Sequence, residues 1–178
     1  MIRNKEIVVC KGYAQVEGIE FEETFVPVAR LEAIIMFLAF SCYKNLKVYQ
    51  MDVKFVFLNG KIEDEFYIEK PEGFLWSESG DYVWKLKKAL YGLKQAPRAW
   101  FSRLDNYLEK QGYKRGATYS NIYIKNEDKY MIIVIVYVDD IIFGSNLKIL
   151  SVKFSSEMKE FEMSTLVELA LFLGLQVS

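Results

Sequence analysis

The stretch Tyr130-Met131-Ile132-Ile133-Val134-Ile135-Val136-Tyr137-Val138-Asp139-Asp140-Ile141-Ile142-Phe143-Gly144 decides how the chain folds. Eight apolar or aromatic residues, Met131 to Val138, run into two carboxylates and then into a second apolar run. The β-branched and aromatic content suits strands. Tyr130 to Val138 and Ile141 to Gly144 are therefore expected as two strands that meet at Asp139-Asp140 in a hairpin. Neither this run nor Ala33 to Tyr43 reaches the ~20 residues that a membrane-spanning helix needs, so no membrane partner is expected.

Downstream of the hairpin, Leu147 to Glu160 reads as a moderately amphipathic helix and Leu169 to Val177 as an apolar segment broken by Gly174. Upstream, Asn121 to Lys125 reads as a further strand. Ala99 to Lys110 carries Trp100, Leu104, Tyr107 and Leu108 on one face and ends near Gly112, as a helix with a glycine stop does. Phe66 to Glu69 and Tyr82 to Lys87 are strand candidates. Leu46 to Val53 alternates as a half-buried strand does, and Asn59-Gly60 then supplies a turn. After Pro27, the span Ala29 to Asn45 places Leu31, Ile34, Ile35, Leu38, Ala39 and Cys42 at helical spacing and reads as a buried helix. The sum is an α+β fold, an antiparallel sheet backed by about three helices in a single domain over residues 1–178.

Composition excludes several chemistries. The 178 residues are 52% hydrophobic, 26% charged and 16% aromatic, enough for one compact domain. Net charge is −1, so no molecule-wide field selects nucleic acid, and any basic site must be local. Histidine is absent, which removes Ser-His-Asp, Cys-His and HExxH chemistry. Cys10 and Cys42 allow at most one disulfide, which suits a reducing compartment, and both read as small core residues. The opening Met1 to Glu6 runs directly into mixed charge, so no export signal is expected. No P-loop or dinucleotide glycine motif occurs in the sequence.

Two constellations could carry chemistry. Asp139 and Asp140 repel each other unless a cation or solvent screens them, and the plain alternative is a polar Asp-Asp turn. Asp52 closes the alternating run Val48-Tyr49-Gln50-Met51. If its strand lies beside the hairpin, three carboxylates converge, as a site for two hard divalent cations ~4 Å apart requires. The second constellation is Tyr82 to Arg103, with six basic residues (Lys85, Lys87, Lys88, Lys94, Arg98, Arg103) and no acidic one. Trp84, Tyr91, Trp100 and Phe101 are interleaved, so charge could hold a phosphate backbone while rings stack on bases. The plain alternative is a solvated lysine face over core aromatics. The acids Glu63, Asp64, Glu65, Glu69, Glu72, Glu78 and Asp81 precede this stretch and read as a solvent face. A glycoside hydrolase built on paired carboxylates would leave the basic stretch unused.

Seven blocks then stand in a familiar order: Lys11-Gly12-Tyr13-Ala14-Gln15; Glu23-Thr24-Phe25 with Pro27-Val28-Ala29-Arg30; Met51-Asp52-Val53-Lys54; Phe57-Leu58-Asn59-Gly60; Pro71-Glu72-Gly73-Phe74; Lys85 to Trp100 (KLKKALYGLKQAPRAW); and Tyr137-Val138-Asp139-Asp140. In this order they resemble the reverse transcriptase domain of copia-type LTR retrotransposon Pol polyproteins. The resemblance implies a polymerase palm with partial fingers and no thumb, fingers at roughly 1–45 and 60–95 and palm in the remainder. It implies that Asp52, Asp139 and Asp140 hold two Mg2+ ions for transfer from dNTP to a primer 3′-hydroxyl. It casts Phe57 as the steric gate against a ribose 2′-hydroxyl and Tyr91, Gly92, Lys94, Gln95 and Pro97 as the nucleotide pocket. Lys85, Lys87, Lys88 and Arg98 would lie along primer-template RNA or DNA, and Gly174, in Phe172-Leu173-Gly174-Leu175, would belong to the primer grip. The implied setting is a cytoplasmic virus-like particle, with thumb and RNase H from the rest of the polyprotein if the frame continues.

The chain departs from the family pattern at three places. Ile7 stands where an arginine is usual, Phe55 and Val56 where a small pair is usual, and Thr165 and Val167 where an Asp-Leu-Gly turn is usual. The bulk of Phe55 and Val56 is expected to crowd a triphosphate, and Thr165 and Val167 to sit poorly at positive φ. These departures and the missing thumb motivate an alternative function, a catalytically inactive remnant that at most binds nucleic acid.

Overall fold

The computed structural model describes residues 7–70 and 82–177. The block Pro71 to Phe74, the acids Glu72, Glu78 and Asp81, and Met1 to Glu6 lie outside the described residues. In chain order the helices are α1 (Leu31–Tyr43), α2 (Ala96–Lys110) and α3 (Lys148–Glu157). The strands are β1 (Lys47–Asp52), β2 (Lys61–Ile68), β3 (Trp84–Lys88), β4 (Lys114–Arg115), β5 (Ile122–Glu127), β6 (Tyr130–Tyr137), β7 (Asp140–Ser145), β8 (Val167–Glu168), β9 (Leu171–Phe172) and β10 (Leu175–Gln176). The mixed helix and antiparallel-sheet architecture agrees with the α+β expectation. The chain divides into two compact units, Met1–Val26 with Val56–Leu104, and Pro27–Phe55 with Asp105–Ser178.

The second unit is built on a six-stranded sheet in the order β4-β5-β6-β7-β1-β8, every neighbouring pair antiparallel. Residues paired across strands share a face, as do alternate residues along a strand. Val48, Ile133, Ile135 and Ile142 on one face form a core with Ala29, Ile34, Phe37, Leu169 and Phe172. On the opposite face Phe143 packs edge-on against Phe154 of α3, ring centroids 4.6 Å apart. Both faces of β6 are thus covered, which is why it reads as one apolar run rather than an alternation.

Helix α1 forms where expected, but its buried stripe is Ala33, Ile34, Phe37 and Ser41. Leu31 and Ile35 are exposed, and so are Ala39 and Cys42. A helix apolar nearly all round does not reveal from sequence which side meets the sheet. Helix α2 begins at Ala96, with Pro97 in its first turn where a missing N–H costs little. It ends at Lys110, and beyond it Gly112 (φ +85°) closes the helix, its N–H donating to the Glu109 carbonyl and the Tyr113 N–H to that of Leu108.

The β6–β7 and β9–β10 hairpins, like β5–β6, turn on two-residue loops. The β6–β7 loop is Val138-Asp139, and Asp140 already belongs to β7, one residue earlier than the Asp139-Asp140 turn read from sequence. The β9–β10 loop is Leu173 (φ +47°) and Gly174 (φ +81°), the positive-φ pair that tight hairpins favour. Val167 lies in β8, paired with Gln50, and neither it nor Thr165 has positive φ, so no left-handed conformation is imposed there.

The first unit has a small core of Ala89, Leu93 and Ala96, joined by Cys10, Phe57, Ile62, Phe66, Leu86, Leu90 and Ala99. Strands β2 and β3 pair antiparallel with a register shift between Lys61 and Phe66. The segment after Val9 runs against the segment after Tyr91, where Cys10 N–H donates to the Tyr91 carbonyl at 2.7 Å. A Cβ on Gly12 would stand 1.7 Å from the Gly92 carbonyl oxygen, and one on Gly92 would stand 2.0 Å from that of Cys10. Only paired glycines allow backbones this close.

Candidate active site

The carboxylates belong to the second unit. Asp52 ends β1, Asp140 opens β7, and the two are Cα partners across the strands. They therefore share a face, with Gln50 two residues before Asp52 on that face. Gln50 Nε2 donates to Asp140 Oδ1 at 2.7 Å. Burial pushes the Asp140 carboxyl above the usual aspartate range; the Gln50 hydrogen bond pulls it down, and the charge of Asp139 pushes it up again. The Asp52 backbone is pinned from outside the sheet, its N–H donating to Ser164 Oγ at 2.7 Å while Ser164 N–H donates to the Asp52 carbonyl at 2.8 Å. Asp139 is the second loop residue, and its carbonyl accepts the Val53 N–H at 2.9 Å.

Val138, before Asp139, is β-branched and sits at φ +58°. That conformation costs a non-glycine residue about 1–2 kcal/mol, and it belongs to the turn that sets Asp140 opposite Tyr137. Phe55, after the Asp52 strand, is also left-handed (φ +51°) and 37% exposed, whereas Val56 is buried at 2%. The side chain of Val56 is thus spent on packing.

Carboxylate oxygens are the donors that a hard divalent cation takes, and the Asp52–Asp140 pair fits one in chemistry. The expected convergence of three is not reached: among the described residues no group of three or more His, Cys, Asp or Glu side chains is placed to hold a metal ion. Register aligns the two strand residues, while Asp139 belongs to the loop and not to the ladder.

The nucleotide-pocket residues of the sequence reading lie in the first unit. Phe57 and Tyr91 are half-buried and meet edge-on with ring centroids 4.8 Å apart. Lys94 is exposed, its Nζ 4.8 Å above the Phe21 ring. Gln95 is half-buried and its Oε1 accepts from Gln15 Nε2 at 3.0 Å. Gly92 (φ +92°) makes the close approach to Cys10, and Pro97 is half-buried in the first turn of α2.

The basic stretch divides. Lys85, Lys87 and Lys88 are exposed along β3, with Lys85 ion-paired to Glu65. Arg98 is ion-paired to Glu23, and Arg103 Nη1 donates to the Asn59 carbonyl at 2.7 Å. Trp84 is 37% exposed, but Trp100 and Phe101 are buried at 2% and 7%, so those two rings serve packing. Of the acids read as a solvent face, Glu65 and Glu69 are exposed. Gly174 occupies its hairpin loop in the second unit, and the neighbouring Phe172 packs edge-on against Tyr137 at 5.9 Å.

The sequence reading missed Gln15, Gln50 and Ser164. Gln50 could have been found from the two-residue period of its strand. Gln15 and Ser164 act across long stretches of chain and left no local signal.

Among the described residues no helix is long and apolar enough to cross a membrane. The family described as reverse transcriptase (RNA-dependent DNA polymerase) matches residues 1–178. The chain is similar to the retrovirus-related Pol polyprotein from transposon TNT 1-94 of Nicotiana tabacum, 38% identical over 99% of this chain and 14% of that protein. It is also similar to the retrovirus-related Pol polyproteins from transposons RE1 and RE2 of Arabidopsis thaliana, 36% and 35% identical over 98% of this chain and 12% of each relative. The chain thus spans about one-seventh of the length of these relatives or less.

Proposed function

The chain belongs to the reverse transcriptase family, as the reverse transcriptase domain of a copia-type retrotransposon Pol polyprotein, and from that membership we propose that it performs RNA-directed DNA synthesis with Asp52, Asp139 and Asp140. The observation that carries this reading is the pairing of Asp52 with Asp140 across β1 and β7. The second unit is the palm in this reading and the first unit the fingers.

Asp52 and Asp140 concentrate negative charge on one sheet face and would hold Mg2+, with Asp139 as the third carboxylate of a two-ion site. Bound there, the metal supplies the positive charge that makes a primer 3′-hydroxyl easier to deprotonate and offsets the charge of a triphosphate. Gln50 orients the Asp140 carboxylate through the hydrogen bond to Oδ1, and Ser164 keeps the Asp52 backbone at its place in the ladder. In the first unit Phe57, braced by Tyr91, is the ring that rejects a ribose 2′-hydroxyl. Tyr91, Gly92, Lys94, Gln95 and Pro97 bind the incoming dNTP, and the exposed Lys85, Lys87 and Lys88 follow the primer-template phosphates, aided by Arg98. Gly174 lets the primer grip turn. Thumb and RNase H functions come from other parts of a Pol polyprotein, and the work is done in a cytoplasmic virus-like particle.

The family match favours this reading over the inactive remnant. The test is primer extension by the chain, fused to a family thumb, with Mg2+, a primed RNA template and dNTPs. Extension that Asp139→Asn abolishes is the expected result; no extension by the fused wild type overturns the reading.

A further inference from the structure

Gln15 is buried, 8% exposed, and both ends of its side-chain amide are engaged. The Lys94 backbone N–H can only donate, and it meets Gln15 Oε1 at 2.9 Å. That contact identifies the oxygen end of Gln15 without ambiguity. The other end is therefore the NH2 group, and it lies 3.0 Å from the Gln95 amide. Facing a donor, Gln95 must present its Oε1. Its own NH2 group then points away from Gln15, and among the described residues it has no protein acceptor. Lys94 Nζ also reaches the Gln15 carbonyl, at 3.5 Å, so backbone and side chain of Gln15 both hold the 94–95 segment.

We propose that Gln15 is a positioning residue that locks the Gln95 amide with its N–H donors outward, so that this position recognises an acceptor oxygen of the incoming deoxynucleoside triphosphate and rejects a donor. The inference rests on the reading above that Gln95 contacts the nucleotide. One backbone N–H thus sets the polarity of a contact two side chains away.

The polarity can be inverted. In Gln15→Glu at pH 8 one carboxylate oxygen still accepts the Lys94 N–H, while the other draws the Gln95 NH2 group inward and turns Oε1 outward. The probe is dTTP with Mg2+, titrated into the full chain by calorimetry, with thermal unfolding to confirm that each variant folds. We expect Gln15→Glu to weaken dTTP about tenfold, the scale of one hydrogen bond lost and one acceptor left facing another. Gln15→Met, which frees the amide to turn either way, weakens it less. In a Gln95→Met background Gln15→Glu changes affinity less than twofold, because no amide remains to be turned. Equal weakening in both backgrounds, or wild-type affinity in Gln15→Glu, overturns the proposal.

Side-chain amide exchange by 15N NMR reads the orientation without nucleotide. The Gln15 NH2 protons should be protected and those of Gln95 exchanging in the wild type, with Gln95 protected in Gln15→Glu. The reverse pattern overturns the lock itself. Wild-type chain that binds no dTTP overturns the recognition role, while the exchange pattern still decides the lock and primer extension by the thumb-fused chain still decides the polymerase reading.

Discussion

Asp52 and Asp140 face each other as partners across β1 and β7, at the end of an alternating strand and at the start of one that is apolar from Ile141 to Gly144. Like charges directly opposite on a sheet destabilise it. The β1–β7 register sets the two residues opposite each other, and a bound cation would offset the negative charge there.

Asp140→Asn should accordingly stabilise the metal-free chain by about 0.2–1 kcal/mol in urea unfolding. It should also weaken Mn2+ binding about tenfold or more by electron paramagnetic resonance. Unchanged Mn2+ affinity would remove Asp140 from the metal site.

Val138 at φ +58° carries strain that glycine does not. Val138→Gly relieves about 1–2 kcal/mol of left-handed strain and gives back about 0.4–1 kcal/mol through a freer unfolded chain. A net gain of about 0.5–1 kcal/mol is expected, and Val138→Ala should show none of it. Chemical denaturation of the three proteins decides the matter, and a destabilised Val138→Gly would mean that the valine side chain packs better than its 43% exposure suggests.

Gly92 leaves no room for a side chain in the first unit. A Cβ there would stand 2.0 Å from the Cys10 carbonyl oxygen, at a φ of +92°. Gly92→Ala should cost about 2–5 kcal/mol from strain and overlap together. Amide exchange should localise the loss to the first unit; protection unchanged around Cys10 and Leu93 would contradict the close approach.

Tyr123 and Tyr113 should titrate late. Burial is the main cause in both, and the hydrogen bond from Tyr123 to Asp105 at 2.7 Å and from Tyr113 to Glu157 at 3.1 Å adds to it. Their folded pKa values lie above the unfolded one, so the folded state holds more protons at alkaline pH. Their contribution is full below about pH 10 and is lost as pH rises beyond it. Absorbance at 295 nm should show Tyr113 and Tyr123 lagging, together with Tyr107, which burial also raises. Tyr123→Phe should remove one lagging group and cost about 1 kcal/mol at neutral pH.

Much of this architecture was legible in the chain itself. The apolar runs of β6 and β7, the alternation of β1 and the faces of α2 are local patterns, and local patterns survive in a one-dimensional string. Strands β4 and β8 are two residues each, too short to leave a period, and exist because a neighbouring strand offers them partners. The buried side of α1 was misread because its apolar residues surround the helix, and contact with the sheet selects Ile34 and Phe37 over Leu31 and Ile35.

The site divides the same way. Seven ordered blocks identified the family, and Asp52, Asp139 and Asp140 were named from sequence, because residue identity and spacing are all that such recognition needs. Tertiary structure alone decided that Asp140 lies opposite Asp52, with Gln50 bonded to it and Asp139 out in the loop. It alone decided that Trp100 and Phe101 are core rather than stacking rings, and that Gln15 grips Gln95 from 80 residues away. Register, burial and long-range hydrogen bonds depend on which distant groups the fold brings together, and no local sequence pattern encodes that meeting.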